Sequence, residues 1–183
     1  RFGNALRLRA QFRYSIYGSD GVPLTHLMQI RRARLQWKGH TFGKTNKFKV
    51  EFAFSPRDLG YKAGNGVSNI PVLTWFGDVG SNPNARVKFG QYKVPFNKQR
   101  VISSGDLQLV DRSIGNGEFN VDRDTGIELH SDDLLGLGML QYHVGAFMNR
   151  GRNLYAGVQP NMMFLARVEV LPLGMFKNFK EAD

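Results

Sequence analysis

Cationic side chains recur at every second position in several stretches of this chain. Arg7, Arg9 and Arg13 alternate with Leu6, Leu8, Phe12 and Tyr14. Arg32, Arg34 and Lys38 alternate with Ala33, Leu35 and Trp37, Lys49 stands between Phe48 and Val50, and Arg86 and Lys88 flank Val87. A guanidinium carries planar, paired N–H donors that match the oxygens of phosphate or carboxylate, and an ammonium is a compact point charge. Gathered on one surface, such groups bind anions; they do not break bonds. The whole chain leans the same way, with 25 Lys and Arg against 15 Asp and Glu, a formal charge of +10. Anionic partners follow from that excess.

Other chemistry finds little support. The chain has no cysteine, which removes disulfide frameworks and Cys-based zinc sites. His26, His40, His130 and His143 stand far apart, with no H-E-x-x-H spacing. Asp122, Asp124 and Glu128 lack the spacing of a calcium loop, and Asp132-Asp133 is first of all a turn signal. Neither a nucleophile elbow, a phosphate-binding loop nor a dinucleotide fingerprint occurs. The expectation is a non-enzyme with no catalytic residue, no metal and no cofactor.

The elements that must carry these cations read as strands. From Ala5 to Tyr17 the alternation is strict, and the run is longer than the five or six residues usual in soluble strands; a tilted membrane strand needs about 9–11. Further strands are expected over 27–39, 47–55, 72–79, 85–92, 124–131, 137–149 and 163–173, the fourth with weak alternation. No apolar run approaches the roughly 18 residues of a membrane helix. The chain opens directly on a patterned segment, as expected where a leader has been removed or where the sequence is a piece of a longer one. The connections are expected at 18–26, 40–46, 56–71, 80–84, 93–123, 132–133 and 150–162. Alternating short and long, they describe an up-and-down antiparallel transmembrane β-barrel, all-β in class. Gly64-Asn65-Gly66 reads as a loop tip.

Two features favour apolar side chains outward and cations inward. Tyr14, Trp37, Phe48, Phe54 and Tyr142 fall near strand ends, where aromatic girdles meet a membrane interface. The polar faces are also one-signed, with Glu51 the clearest acid in the first five strands, whereas a solvated face mixes signs. Stacked cations repel unless water or anions screen them, and a pore gives that cost a use. An eight-stranded barrel is just filled by its own side chains, so these strands are expected to form the first half of a barrel with about 16. The competing reading of the same face is an arginine-rich exterior that binds nucleic acid or simply keeps the sheet in water.

Residues 27 to 173 carry a resemblance. Ile30-Arg31-Arg32-Ala33-Arg34-Leu35, and later Val87-Lys88-Phe89-Gly90-Gln91-Tyr92-Lys93-Val94-Pro95-Phe96, resemble the phosphate-selective porin family, the outer-membrane porin O and P type. Ser103-Ser104, Asp111-Arg112-Ser113, Asp124-Thr125-Gly126-Ile127 and Arg167-Val168-Glu169-Val170-Leu171-Pro172 add to it in order. The resemblance implies trimeric 16-stranded barrels in the Gram-negative outer membrane, with a long loop, here 93–123, folded into the lumen. It implies Arg31, Arg32 and Arg34 as members of an arginine ladder, and Lys93, Lys98, Arg100 and Arg112 as constriction-loop residues. Arg7, Arg9, Arg13, Lys49, Arg86 and Lys88 rest on the face pattern alone.

The expected activity is passive diffusion of small anions, phosphate among them. The expected partners are those anions, outer-membrane lipid and lipopolysaccharide, and two further copies in a homotrimer, with no nucleic acid. Two alternatives stand beside it: a porin-like outer-membrane scaffold without transport, and a soluble basic β-barrel that binds nucleic acid through its cations and aromatics.

Overall fold

The computed structural model describes residues 2–59, 71–107, 112–153 and 161–174. Eight antiparallel strands form one sheet, each paired with its neighbour in sequence: β1 (Gly3–Ser19), β2 (Val22–His40), β3 (Lys47–Ala53), β4 (Val72–Asn82), β5 (Ala85–Lys93), β6 (Arg123–His130), β7 (Leu140–Phe147) and β8 (Met163–Val170). Among the described residues, three short α-helices lie in the connections, α1 (Pro56–Leu59), α2 (Lys98–Val101) and α3 (Ile114–Glu118), with a 3-10 turn at Leu134–Gly136. No described helix is long and apolar enough to cross a membrane.

Alternation places the two kinds of side chain on opposite faces, and burial shows which is which. Leu6, Leu8, Phe164 and Val168 are 70%, 76%, 77% and 68% exposed, while Arg31, Arg34, Glu51, Arg86 and Glu128 are buried. A soluble barrel has the reverse arrangement. Among the described buried side chains is a small apolar cluster, Tyr92, Val94 and Phe147, in which the Tyr92 ring stands edge-on to those of Phe76 and Phe147. Glycine makes room for it, since a Cβ on Gly126 would come within 2.4 Å of the Phe147 ring. The weak alternation of β4 has the same source: bulky Phe76 packs against this cluster while Trp75 stays partly exposed.

The sheet is curled, and the described parts of the segment 94–122 lie inside the curl. Arg9 on β1 donates to the Ser104 hydroxyl (2.9 Å) and carbonyl (2.8 Å), and Arg167 on β8 donates to the Pro95 carbonyl (3.0 Å). Eight strands laid flat span roughly 34 Å. The path from Pro95 to Ser104, with a helical turn in it, reaches about 22 Å, and even two fully stretched arginine side chains leave no slack across a flat sheet. One short segment meets both ends of the sheet with ordinary hydrogen bonds, as a bent sheet allows. Its base is closed by Val94 N–H donating to the Asp122 carbonyl at 3.1 Å.

Several boundaries differ from expectation. The stretch 18–26 is mostly strand: β1 and β2 meet in the two-residue turn Asp20-Gly21, where Gly21 takes φ +80°. An Asp-Gly pair between alternating segments is a hairpin signal, so the first connection is short although it lies on the long-connection side. Beyond β3, β2 pairs with β1 alone, and this two-stranded ribbon projects past the rest of the sheet. The connection expected as a tight turn at 132–133 runs instead from 131 to 139, closed by Gly138 N–H on the Asp133 carboxylate (2.9 Å). It therefore takes Leu137 out of β7. The turn α1 was hidden within 56–71. The tip Gly64-Asn65-Gly66 lies outside the described residues, as does Asp111.

Candidate functional site

The deepest cationic site begins with an irregularity in β2. Gln11 pairs with Arg32 and Phe12 with Ile30, which leaves Arg31 as an extra residue between them. Strict alternation would turn Arg31 away from Arg32 and Arg34. The bulge re-aims it, so all three side chains are buried on the inner face. Arg32 donates to the Gln11 side chain. Arg34 places Nε and Nη2 on the two oxygens of Asp58, at 2.6 and 2.5 Å, and Nη1 on Glu51 at 3.3 Å. Glu51 also takes the Lys49 ammonium at 2.8 Å.

Three connections bring the opposing wall. From the first, α1 supplies Asp58; it is anchored where Phe54 N–H donates to the Ala33 carbonyl (2.8 Å) and Leu59 N–H to that of Ser55 (3.0 Å). The second, 94–122, is built around its own cations. The Asn97 side chain caps α2 through Arg100 N–H (2.9 Å) and Ser113 caps α3 through Asn116 N–H (3.3 Å). Lys93 Nζ donates to the carbonyls of Val101 (3.2 Å) and Ile102 (2.8 Å), and Arg112 to those of Gln99 (3.0 Å) and Ile102 (2.6 Å). Arg100 pairs with Asp122, which Arg123 also meets at 3.3 Å. Burial alone would raise the Asp122 carboxyl, but Arg123 and Arg100 hold it below the usual carboxylate value. The third connection reaches in with Arg152, whose Nη1 donates to the Asp58 carbonyl at 2.5 Å.

Together these enclose a cavity of about 350 Å³ whose wall is mostly polar. Arg31, Arg32, Arg34, Lys93, Arg100, Arg112, Arg123 and Arg152 face it, against Asp58 and Asp122: seven arginines and a lysine to two carboxylates. That volume lies at the low end for small-molecule sites. A cationic surplus in so enclosed a space draws in a small anion and can replace part of its hydration shell.

The cavity continues along the inner face. A second, of about 200 Å³, shares Arg34, Lys93, Ser104 and Arg123 with the first and adds Arg9, Lys49 and Lys88. A third, of about 180 Å³, shares Lys88 with the second and lies toward the short turns, with Lys98, Arg167, Glu128, Glu169, Asp132, His130 and His143 on its wall. Lys88 sits over the Phe76 and Tyr92 rings, 4.9 and 4.1 Å from their centroids. Around it the charges pair off. Arg86 holds Asp78 at 2.8 Å, His143 Nδ1 meets Glu128 at 2.6 Å, and the His130 and His143 rings stack at 5.9 Å.

The fold thus brings together Arg31, Arg32, Arg34, Lys93, Arg100 and Arg112 in the first cavity, and Arg9, Lys49 and Lys88 in the second. Lys98 lines the third and Arg86 is tied to Asp78. Arg7 and Arg13 line none of the three; Arg7 is exposed, and Arg13 donates to Ser15 on the projecting ribbon (2.9 Å). Sequence reasoning missed Asp58, Asp122, Arg123 and Arg152 as cavity groups. Arg123, next to the Asp124-Thr125-Gly126-Ile127 strand, was within reach; Asp58 and Arg152 lie in connections with no period to read. Among the described residues no group of His, Asp and Glu is placed to hold a metal ion.

Residues 4–158 match the family described as phosphate-selective porin O and P. No curated protein matches the chain.

Proposed function

This chain belongs to the phosphate-selective porin O and P family, and on that premise we propose that it forms the wall and constriction of an outer-membrane channel through which small anions, phosphate among them, diffuse passively. A porin-type channel follows from the family. The anion preference is supported above all by one observation, the seven-to-two surplus of arginines over carboxylates around the first cavity. Arg31, Arg32 and Arg34 form the fixed wall, and Lys93, Arg100 and Arg112 the inward segment. Arg9, Lys49 and Lys88 continue the path, and Lys98 and Arg86 stand toward its short-turn end. Arg7 and Arg13, expected on the anion path from the face pattern alone, act as outlying attractors on the same face.

The apolar outer face supports contact with membrane lipid, and placement in the Gram-negative outer membrane beside lipopolysaccharide follows as part of the proposal. A barrel of about 16 strands, to which these eight contribute one half, leaves an aqueous lumen beside the inward segment. A homotrimer completes the reading. The exposed apolar face is the opposite of what a soluble nucleic-acid-binding barrel presents.

The test is the reversal potential of the full-length protein in a planar bilayer under a potassium chloride gradient, with inorganic phosphate added as a competing ion. Anion preference and a reduction of chloride current by phosphate are expected, both weakened in Arg32→Ala/Arg34→Ala. A cation-preferring channel indifferent to those substitutions overturns the proposal.

A further inference from the structure

Asp58 stands out in the cationic cavity because of what it occupies. Of the two carboxylates there, Asp122 lies between Arg100 and Arg123, two groups of the inward segment and its exit. Asp58 instead takes the fork of Arg34, both carboxylate oxygens on Nε and Nη2 at 2.6 and 2.5 Å. That two-point geometry is the one an oxoanion's paired oxygens adopt on a guanidinium. With Nη1 turned to Glu51, all three nitrogens of the Arg34 guanidinium already face carboxylates of the protein itself. The carboxylate is also firmly held. The chain entering α1 is bonded to β2 through Phe54 N–H, α1 closes on the Ser55 carbonyl, and the Asp58 carbonyl receives Arg152 from the connection after β7.

We propose that Asp58 is a specificity-determining residue of the channel: a tethered carboxylate that competes with a passing oxoanion for Arg34 and so sets how long the anion stays. This rests on the anion-channel reading above. A site with seven arginines against two carboxylates risks holding a dianion too well, and conduction requires binding weak enough to leave. A carboxylate on a short tether presents itself at an effective concentration of millimolar order or higher, so a free oxoanion must displace it or do without the fork of Arg34. A halide, which needs no two-point donor, is affected far less. Asp58 therefore discriminates among anions by their geometry as well as their charge.

The experiment measures chloride current through the full-length protein in a planar bilayer while inorganic phosphate is titrated in. Asp58→Asn keeps the side-chain shape and removes the competing charge. The expected result is a fall of about tenfold or more in the phosphate concentration that halves the chloride current, each variant being scaled to its own phosphate-free current. Asp58→Glu, which restores the charge, is expected to return the half-blocking concentration toward that of the parent. An unchanged or higher half-blocking concentration in Asp58→Asn overturns the proposal. So does a joint loss of block and chloride conductance, which marks Asp58 as a wall support only. A parent channel that phosphate does not block refutes the anion-channel reading instead, so the two failures are told apart.

Discussion

The two ends of the inner face use the same residue types to opposite effect. Toward the long connections, seven arginines and Lys93 face two carboxylates. Toward the short turns, Lys88, Lys98 and Arg167 stand with Glu128, Asp132 and Glu169 in equal number, with two histidines beside them. In the first region part of the surplus is held by backbone: Arg112 spends donors on the carbonyls of Gln99 and Ile102, which orients it without cancelling its charge. In the second the charge is cancelled by side chains, as in Arg86 with Asp78. A field for anions therefore depends less on how many arginines a strand carries than on which acceptors hold them.

Breaking the first region has the largest expected effect. Arg31→Ala/Arg32→Ala removes two wall cations, one of them turned inward by the bulge, and should raise the half-blocking phosphate concentration by one to two orders of magnitude, roughly 1.4 kcal/mol for each factor of ten. A change under twofold, measured by the same chloride-current titration, places the anion elsewhere. Next comes the anchor of the inward segment on β1. Arg9→Met loses both bonds to Ser104 and is expected to raise single-channel conductance a few-fold with weaker anion preference; unaltered conductance means the anchor is dispensable.

A smaller effect is expected from acid. Asp122 titrates below the ordinary carboxylate value of 3.8 because Arg123 and Arg100 outweigh its burial. A depressed carboxyl stabilises the fold above its unfolded pKa and loses that contribution as pH falls through the folded value. Current noise should thus stay level from neutral pH down to about 4 and rise only below that, and Asp122→Asn should be noisy throughout. A noise onset near pH 6 would assign the transition to histidine instead. The smallest change is expected in the balanced region. Lys88→Met leaves the first cavity intact and should shift anion preference less than twofold; a shift as large as that of Arg31→Ala/Arg32→Ala removes the distinction between the two ends.

What could be read in advance divides along the same line. Strand faces follow from period-two alternation, so Leu6 to Ile16 outward and Glu51 or Glu128 inward were legible. Arg31 was not, by that rule, because one extra residue reverses the expected side, and only the family resemblance drew attention to it. The hairpin at Asp20-Gly21 was spelled out by its turn residues yet hidden by the unusual length of the strands it joins. Asp58 and Arg152 gave no signal, because their place depends on how connections fold back over the sheet, and no local pattern encodes that.

The attachment of segment 94–122 to both β1 and β8 has a mechanical consequence. Like a tie-beam under an arch, it links the narrowing of the passage to the radius of the wall that surrounds it. Lengthening or loosening the beam does more than widen the aperture: it lets the arch flatten, and every cation mounted on the strands then moves away from the axis together.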